Sequence, residues 1–205
     1  MKKANLKLLV VIICITLTTA AKAQVQLSAG PEVGFTAAGI YSADDDVFAG
    51  INGHFGGTLR LQFGNYLAVR PSVLFKLGSM TNTDYDDTKI SMTRISVPIP
   101  VMYSQIFGNN SNLFVGLGPN LMYALSGKMK NSYGSGDISF GSNPGQWKPF
   151  DVGLHLKGGF QFPVGIALST FCNFGFTNLA NNGDKAHTLD AIGFSVGYMF
   201  GGNAE

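Results

Sequence analysis

The chain has 205 residues, of which 45% are hydrophobic and only 13% charged, with 27 glycines and a formal net charge of +2. This length, with so little charge and no long amphipathic helical pattern, bounds a single all-β domain, and near-neutrality excludes a nucleic-acid partner, which needs a basic surface. Two cysteines, Cys14 and Cys172, exclude a disulfide framework.

At the N-terminus Lys2, Lys3 and Lys7 precede an apolar run from Leu8 to Ile15 that closes on Ala21-Lys22-Ala23 before Gln24. The pattern is that of a cleavable secretory signal over residues 1–23, leaving 24–205 as the mature domain. The run is shorter than the ~20 apolar residues of a membrane helix, and nothing after Gln24 approaches that length. Cys14 follows Val11-Ile12-Ile13 rather than small residues, so no lipid anchor is expected there. Removal of the signal takes four lysines and no acid, leaving ten cations against twelve acids and a charge of −2.

Eight period-two stretches follow, at approximately 25–40, 51–63, 66–79, 89–105, 112–126, 150–162, 163–178 and 188–200. In the third, Leu67, Val69, Val73, Phe75 and Leu77 alternate with Arg70, Ser72 and Lys76. In the second, Ile51, Phe55, Leu59 and Leu61 oppose Asn52, His54, Thr58 and Arg60; in the sixth, Val152, Leu154 and Leu156 oppose Asp151, His155 and Lys157. Such alternation is a strand with one apolar and one polar face. The connectors alternate too: Gly64-Asn65, Gly108–Ser111 and Phe162-Pro163 are short, whereas 41–49, 80–88, 127–149 and 179–187 are long. Bacterial barrels place short turns in the periplasm, so both termini are expected there.

Which face points out follows from volume. An eight-stranded interior holds modest side chains or one small ligand. The apolar face carries Phe35, Phe55, Phe75, Tyr103, Tyr123, Phe174, Phe194 and more, while the other is rich in Gly30, Gly34, Gly116, Gly118, Asn120, Ser169, Asn173 and Ser195. The bulky face must therefore meet lipid, which gives an eight-stranded antiparallel up-and-down transmembrane β-barrel and rejects a soluble ligand-binding barrel of opposite polarity. Phe63, Tyr66, Tyr103, Phe107, Phe160, Phe162, Tyr198 and Phe200 gather beside the short turns as an interfacial girdle. Cys172 shares its side with Ile166, Leu168 and Phe174 and reads as a small hydrophobe.

The lumen then inherits a polar cluster: Glu32, His54, Arg60, Arg70, Lys76, Asp151, His155 and Lys157. Charges there must be paired or hydrated. Glu32, near mid-height, is the expected counter-ion for several cations. The cluster reads as a polar plug, or alternatively as the selectivity lining of a small channel. Asp151 and His155 lie four apart on one strand face, roughly 13 Å and too far for a hydrogen bond. His187 with Asp184 or Asp190 is the remaining acid–histidine group. No nucleophile elbow, zinc motif or phosphate loop occurs, so neither an enzyme nor a cofactor or metal is expected.

In the connectors, Asp44-Asp45-Asp46 and Asp84-Tyr85-Asp86-Asp87 lack calcium-loop spacing and read as solvated charge or divalent-cation contacts near lipid headgroups. The longest connector offers Tyr133, Phe140 and the single tryptophan, Trp147, as outer contacts, with Trp147 beside Lys148-Pro149 placed as an interfacial anchor. Pro98 and Pro100 remove two ladder donors on one seam. The simpler expectation is a bulge that sets curvature; the other is a seam that opens for a partner strand.

The segments Ile95-Ser96-Val97-Pro98-Ile99-Pro100-Val101-Met102-Tyr103 and Leu113-Phe114-Val115-Gly116-Leu117-Gly118-Pro119-Asn120-Leu121 resemble the PorT-like outer-membrane β-barrel family of Gram-negative bacteria. The resemblance implies an outer-membrane barrel inserted by the barrel-assembly machinery, with no catalytic residues to carry over, one member type being a secretion and gliding accessory. The chain departs from the family pattern where Gly201–Glu205 follow Phe200. The expected function is structural or interactive within the cell envelope, through outer-membrane lipid and an envelope partner yet to be identified; the alternatives are a small channel or transporter, or a secretion accessory.

Overall fold

The computed structural model describes residues 25–42, 47–82, 88–107, 111–181 and 186–201. Residues 1–24, both acidic clusters, Asp184 and residues 202–205 lie outside the described residues. The strands are β1 (Val25–Ser42), β2 (Val47–Phe63), β3 (Leu67–Val69), β4 (Ser72–Asn82), β5 (Thr88–Pro98), β6 (Val101–Ile106), β7 (Asn112–Asn131), β8 (Gly134–Asp137), β9 (Phe150–Gln161), β10 (Ile166–Gly175) and β11 (Ala186–Tyr198). β3 with β4, and β5 with β6, are single staves interrupted at Arg70-Pro71 and Ile99-Pro100. β8 pairs only with β7, outside the ring. Eight antiparallel staves remain, and β1 pairing with both β2 and β11 closes the ring.

Pairing is up-and-down, each stave lying beside its neighbours in the chain. At one end Gly64 (φ 60°) and Gly165 (φ 91°) adopt the left-handed conformation that tight reversals need. Here three aromatic pairs line the outer surface: Tyr66–Tyr103 at 5.9 Å, Phe160–Phe162 at 5.1 Å and Tyr198–Phe200 at 4.7 Å between centroids. Past β11, Phe200 exchanges backbone hydrogen bonds with Ala29, extending the closing seam.

Alternation sets the faces. Phe35 is 57% exposed on the outer surface, whereas its neighbour Thr36 is sealed inside. The same switch runs along every stave, so the wall is apolar outside and the interior holds Ser, Thr, Asn, Gln and charged side chains. A bulge breaks the rhythm in β11: Ala37 pairs with Ile192 but Ala38 with Asp190, so Ala191 is extra. Ala186, Thr188 and Asp190 point inward before it, and Gly193, Ser195 and Gly197 after it. A second bulge between Thr93 and Arg94, opposite Ser126 and Ala124, shifts β7 in the same way.

The prolines do not form a bulge. Registers on the two sides of Ile99-Pro100 are continuous: Leu74↔Ser96 leads to Val69↔Val101 on one side, and Pro98↔Asn120 to Val101↔Leu117 on the other. The expected curvature device is thus absent. The Ile99 amide donates to the Pro119 carbonyl (2.9 Å) and the Arg70 amide to the Pro100 carbonyl (3.0 Å). Odd amides therefore face β7, and the two positions without an N–H face the β3–β4 stave. The ladder keeps its register while that seam loses two donors.

The long connectors shorten in the fold. β1 reaches Ser42, β2 starts at Val47, and β7 continues to Asn131 before turning back as β8. The stretch after β8 then folds over the barrel mouth. Ile138, Phe140 and Trp147 pack against buried Ala38, Ile40, Met80, Ile90, Met92, Ala124, Leu179 and Ala186. This apolar cap sits above the polar lumen.

Candidate functional site

Every residue of the expected lumen cluster lies on the inward face and is 4% exposed or less. Among the described residues, five buried cations (Arg60, Arg70, Lys76, Arg94, Lys157) meet three buried carboxylates (Glu32, Asp151, Asp190). Each carboxylate is held differently. Lys157 Nζ donates to Glu32 Oε1, and His54 Nε2 lies 4.0 Å from the same oxygen. Lys76 Nζ donates to Asp190 Oδ2, which also accepts from Asn173 Nδ2 at 2.7 Å. Asp151 takes no cation: it accepts from Thr188 Oγ1 (2.6 Å) and the Thr177 amide (3.1 Å).

Asp190 belongs to a network that crosses the lumen, apart from the Glu32 and Asp151 pairs. Asn173 Oδ1 accepts from Asn120 Nδ2 (3.1 Å) and meets His155 Nδ1 (2.6 Å), while Ser96 Oγ donates to Asn120 Oδ1 (2.8 Å). Hydrogen bonds thus run from β5 through β7, β10 and β9 to β11, where Lys76 ties in β4. Towards the short-turn end, Arg60 donates to Gln161 Oε1 (3.0 Å). Arg70 reaches Thr58 Oγ1 (3.4 Å) and lies 4.8 Å over the Phe114 ring. Glu32 thus bonds Lys157 directly and also acts on the charge of Arg70, a counter-ion to more than one cation.

One aromatic ring stands at the centre. Phe171 is 6% exposed and packs edge-on against His54 (5.3 Å), beside His155 (5.8 Å) and with Lys76 Nζ 5.8 Å over its face. It fits because Gly193 opposite has no side chain; a Cβ there would stand 2.2 Å from the ring. The free space left among Glu32, Lys76, Ser96, His155 and Phe171 is about 10 Å³. That is room for about one water.

Sequence reasoning missed Asp190, Arg94 and Phe171 as lumen groups. Arg94 was legible, on the inward side of a stave whose outer side carries Ile95, Val97 and Val101. His187 and Asp190 do not assemble, because Asp190 turns inward to Lys76 while His187 belongs to the opposite parity of β11; the Asp184 alternative lies outside the described residues.

At the long-loop end the three expected contacts divide. Tyr133, at the β7–β8 turn, is 87% exposed. Phe140 instead turns into the cap. Trp147 packs on the cap as well, and it also lines a rim pocket of about 460 Å³. The pocket lies between the β7–β8 hairpin and the 138–147 segment, with Met129, Asn131, Tyr133, Ser135, Asp137 and Ser139 among its walls.

Neisserial surface protein A matches with a TM-score of 0.52 over 85% of this chain and 97% of that one, at 11% identity. The attachment invasion locus protein Ail of Yersinia pestis covers 85% of this chain and 99% of its own at 14% identity, with a TM-score of 0.45. At such identity the Neisserial likeness bears on the fold alone, and no curated protein matches the chain in sequence. The sequence model of a bacterial outer-membrane family matches residues 22–181. The chain belongs to the outer membrane protein beta-barrel domain family.

Proposed function

We propose that this barrel is a structural or interaction component of the outer membrane that works through its long-loop end rather than through its lumen. The observation that carries the reading is the blocked interior: buried ion pairs span the lumen and an apolar cap lies over them. A conducting path needs a continuous wet channel, and eight staves leave little space for one. Export by the signal over residues 1–23, periplasmic termini and insertion by the barrel-assembly machinery complete this reading. The likeness of residues 95–103 and 113–121 to PorT-like chains supports a narrower form, an accessory beside an envelope secretion apparatus. The wall contacts outer-membrane lipid, and the rim meets a partner in the envelope.

Conductance of the refolded chain in a planar bilayer tests the reading. A silent barrel at rest is expected. Steady single-channel currents would overturn it in favour of a small channel.

A further inference from the structure

We infer that the rim pocket bounded by Tyr133 and Trp147 is a binding site for a neutral saccharide; the inference rests on the reading of the long-loop end as the contact surface and names that surface's ligand class. Two aromatic side chains, one of them 87% exposed, offer flat faces for the apolar side of a sugar ring. Ser139 and the amide nitrogen of Asn131, whose Oδ1 already accepts from the Tyr133 and Gly134 amides, supply short polar groups for ring hydroxyls. The volume, about 460 Å³, falls within the ~300–1,000 Å³ of small-molecule sites.

Charge makes the class neutral. Asp137 is the charged residue among the pocket's lining, and its carboxylate lies 4.0 Å from Lys128 Nζ. Neither Lys128 nor Lys130 lines the pocket. Lys128 pairs with Asp137, and Lys130 with Ser135, on the hairpin face opposite Met129 and Gly136, so a sulfated or phosphorylated ligand on the glycine floor would meet no facing cation.

An independent observation concerns the pocket floor. Gly134 and Gly136 both lie in β8, where glycine weakens a strand. A Cβ at either would meet nothing within 4 Å, and neither has a positive φ. Gly116 and Gly118 on the neighbouring β7 differ: their Cβ atoms would stand 2.2 Å from the Val101 and Ile99 carbonyl oxygens. Crowding requires glycine on β7, but nothing in the fold requires it on β8. Two bare positions beneath two aromatic walls leave a flat floor on which a sugar ring can lie.

Trp147 is the chain's only tryptophan, so its emission reports on this pocket. Refolded full-length barrel is titrated with neutral trisaccharides of glucose, galactose and N-acetylglucosamine, with their sulfated counterparts, and with the same glycans as glycolipids in phosphatidylcholine vesicles. At least one neutral glycan is expected to give a saturable emission change; response to the glycolipid alone identifies a membrane-borne source. Gly136→Val fills the floor with a good strand former and is expected to weaken binding about tenfold or more. Tyr133→Ala should weaken it as well, and both variants should keep the heat-modifiable gel migration of the folded barrel. The inference is overturned if only sulfated glycans bind, if no glycan binds, if Gly136→Val binds like the parent, or if the site takes an extended peptide on the β8 edge instead. A barrel silent in the bilayer but unresponsive to glycans loses only this assignment; a conducting one loses the broader reading whatever Trp147 reports.

Discussion

Replacing Asp190 by alanine isolates the lumen network. Lys76 and Asp190 are 2% and 4% exposed at their side chains, and Asn173 Nδ2 shares the same carboxylate oxygen. Asp190→Ala leaves a buried ammonium without its carboxylate and an amide without its acceptor, and removing one partner of a buried pair costs about 3–5 kcal/mol. Lys76→Met alone leaves the carboxylate to Asn173 and should cost a similar amount. The double variant removes both charges and keeps the aliphatic stem, so about 1–2 kcal/mol should remain, mostly from the orphaned Asn173. The two single costs would then exceed the double by several kcal/mol, the signature of direct coupling. Urea titration of the refolded chain in phosphatidylcholine vesicles, followed by Trp147 emission, measures all four forms. Single variants within ~1 kcal/mol of the parent, or simple additivity, would refute a structural ion pair and imply a wetter lumen.

Phe171→Ala should destabilise by about 3–5 kcal/mol in the same titration, because the Gly193 notch it fills cannot close behind it. Val73 is 53% exposed outside and Ser72 4% inside, so Val73→Arg should cost ~2–4 kcal/mol as charge in hydrocarbon. A lipid-soluble quencher should reach a label at position 73 and not at 72; the opposite pattern would invert the barrel. Pro98→Ala and Pro100→Ala each restore an amide facing the β3–β4 stave, and each should add about 0.5–1.5 kcal/mol, with slower amide exchange along that seam. Expressed in a Gram-negative host, the processed chain should begin at Gln24, sediment with the outer membrane and migrate anomalously in detergent gels until boiled; recovery from the soluble periplasm would contradict it.

The staves and their faces were legible because period two is local: Val69, Val73 and Phe75 announce the outer side without reference to any partner. Asp190 was not, for a reason equally physical. One extra residue at Ala191 reverses parity, so extrapolating back from Gly193 and Ser195 assigns Asp190 to the wrong face. The shift at Ser126 hides the continuation of β7 to Asn131 in the same way. Phe171 escaped because lumen positions were sought among small residues, whereas its room is made by a glycine on another stave. The missing donors of Pro98 and Pro100 could be read directly, but whether they made a bulge depended on registers with two neighbours. Phe140 and Trp147 were visible as aromatics in a long connector; that they fold over the mouth depends on apolar partners scattered from Ala38 to Ala186.

Glu32 and Asp190 lie on β1 and β11, the two strands that meet when the sheet becomes a cylinder. Their lysines come from β9 and β4, 125 and 114 residues away in the chain. A slip of β1 against β11 by one position turns a strand's alternate residues to the other side. At this joint it would push a carboxylate into hydrocarbon and strand its lysine inside. The error therefore costs far more than the one or two backbone bonds it changes. The correct register of the closing joint is thus specified by side chains that the finished wall conceals.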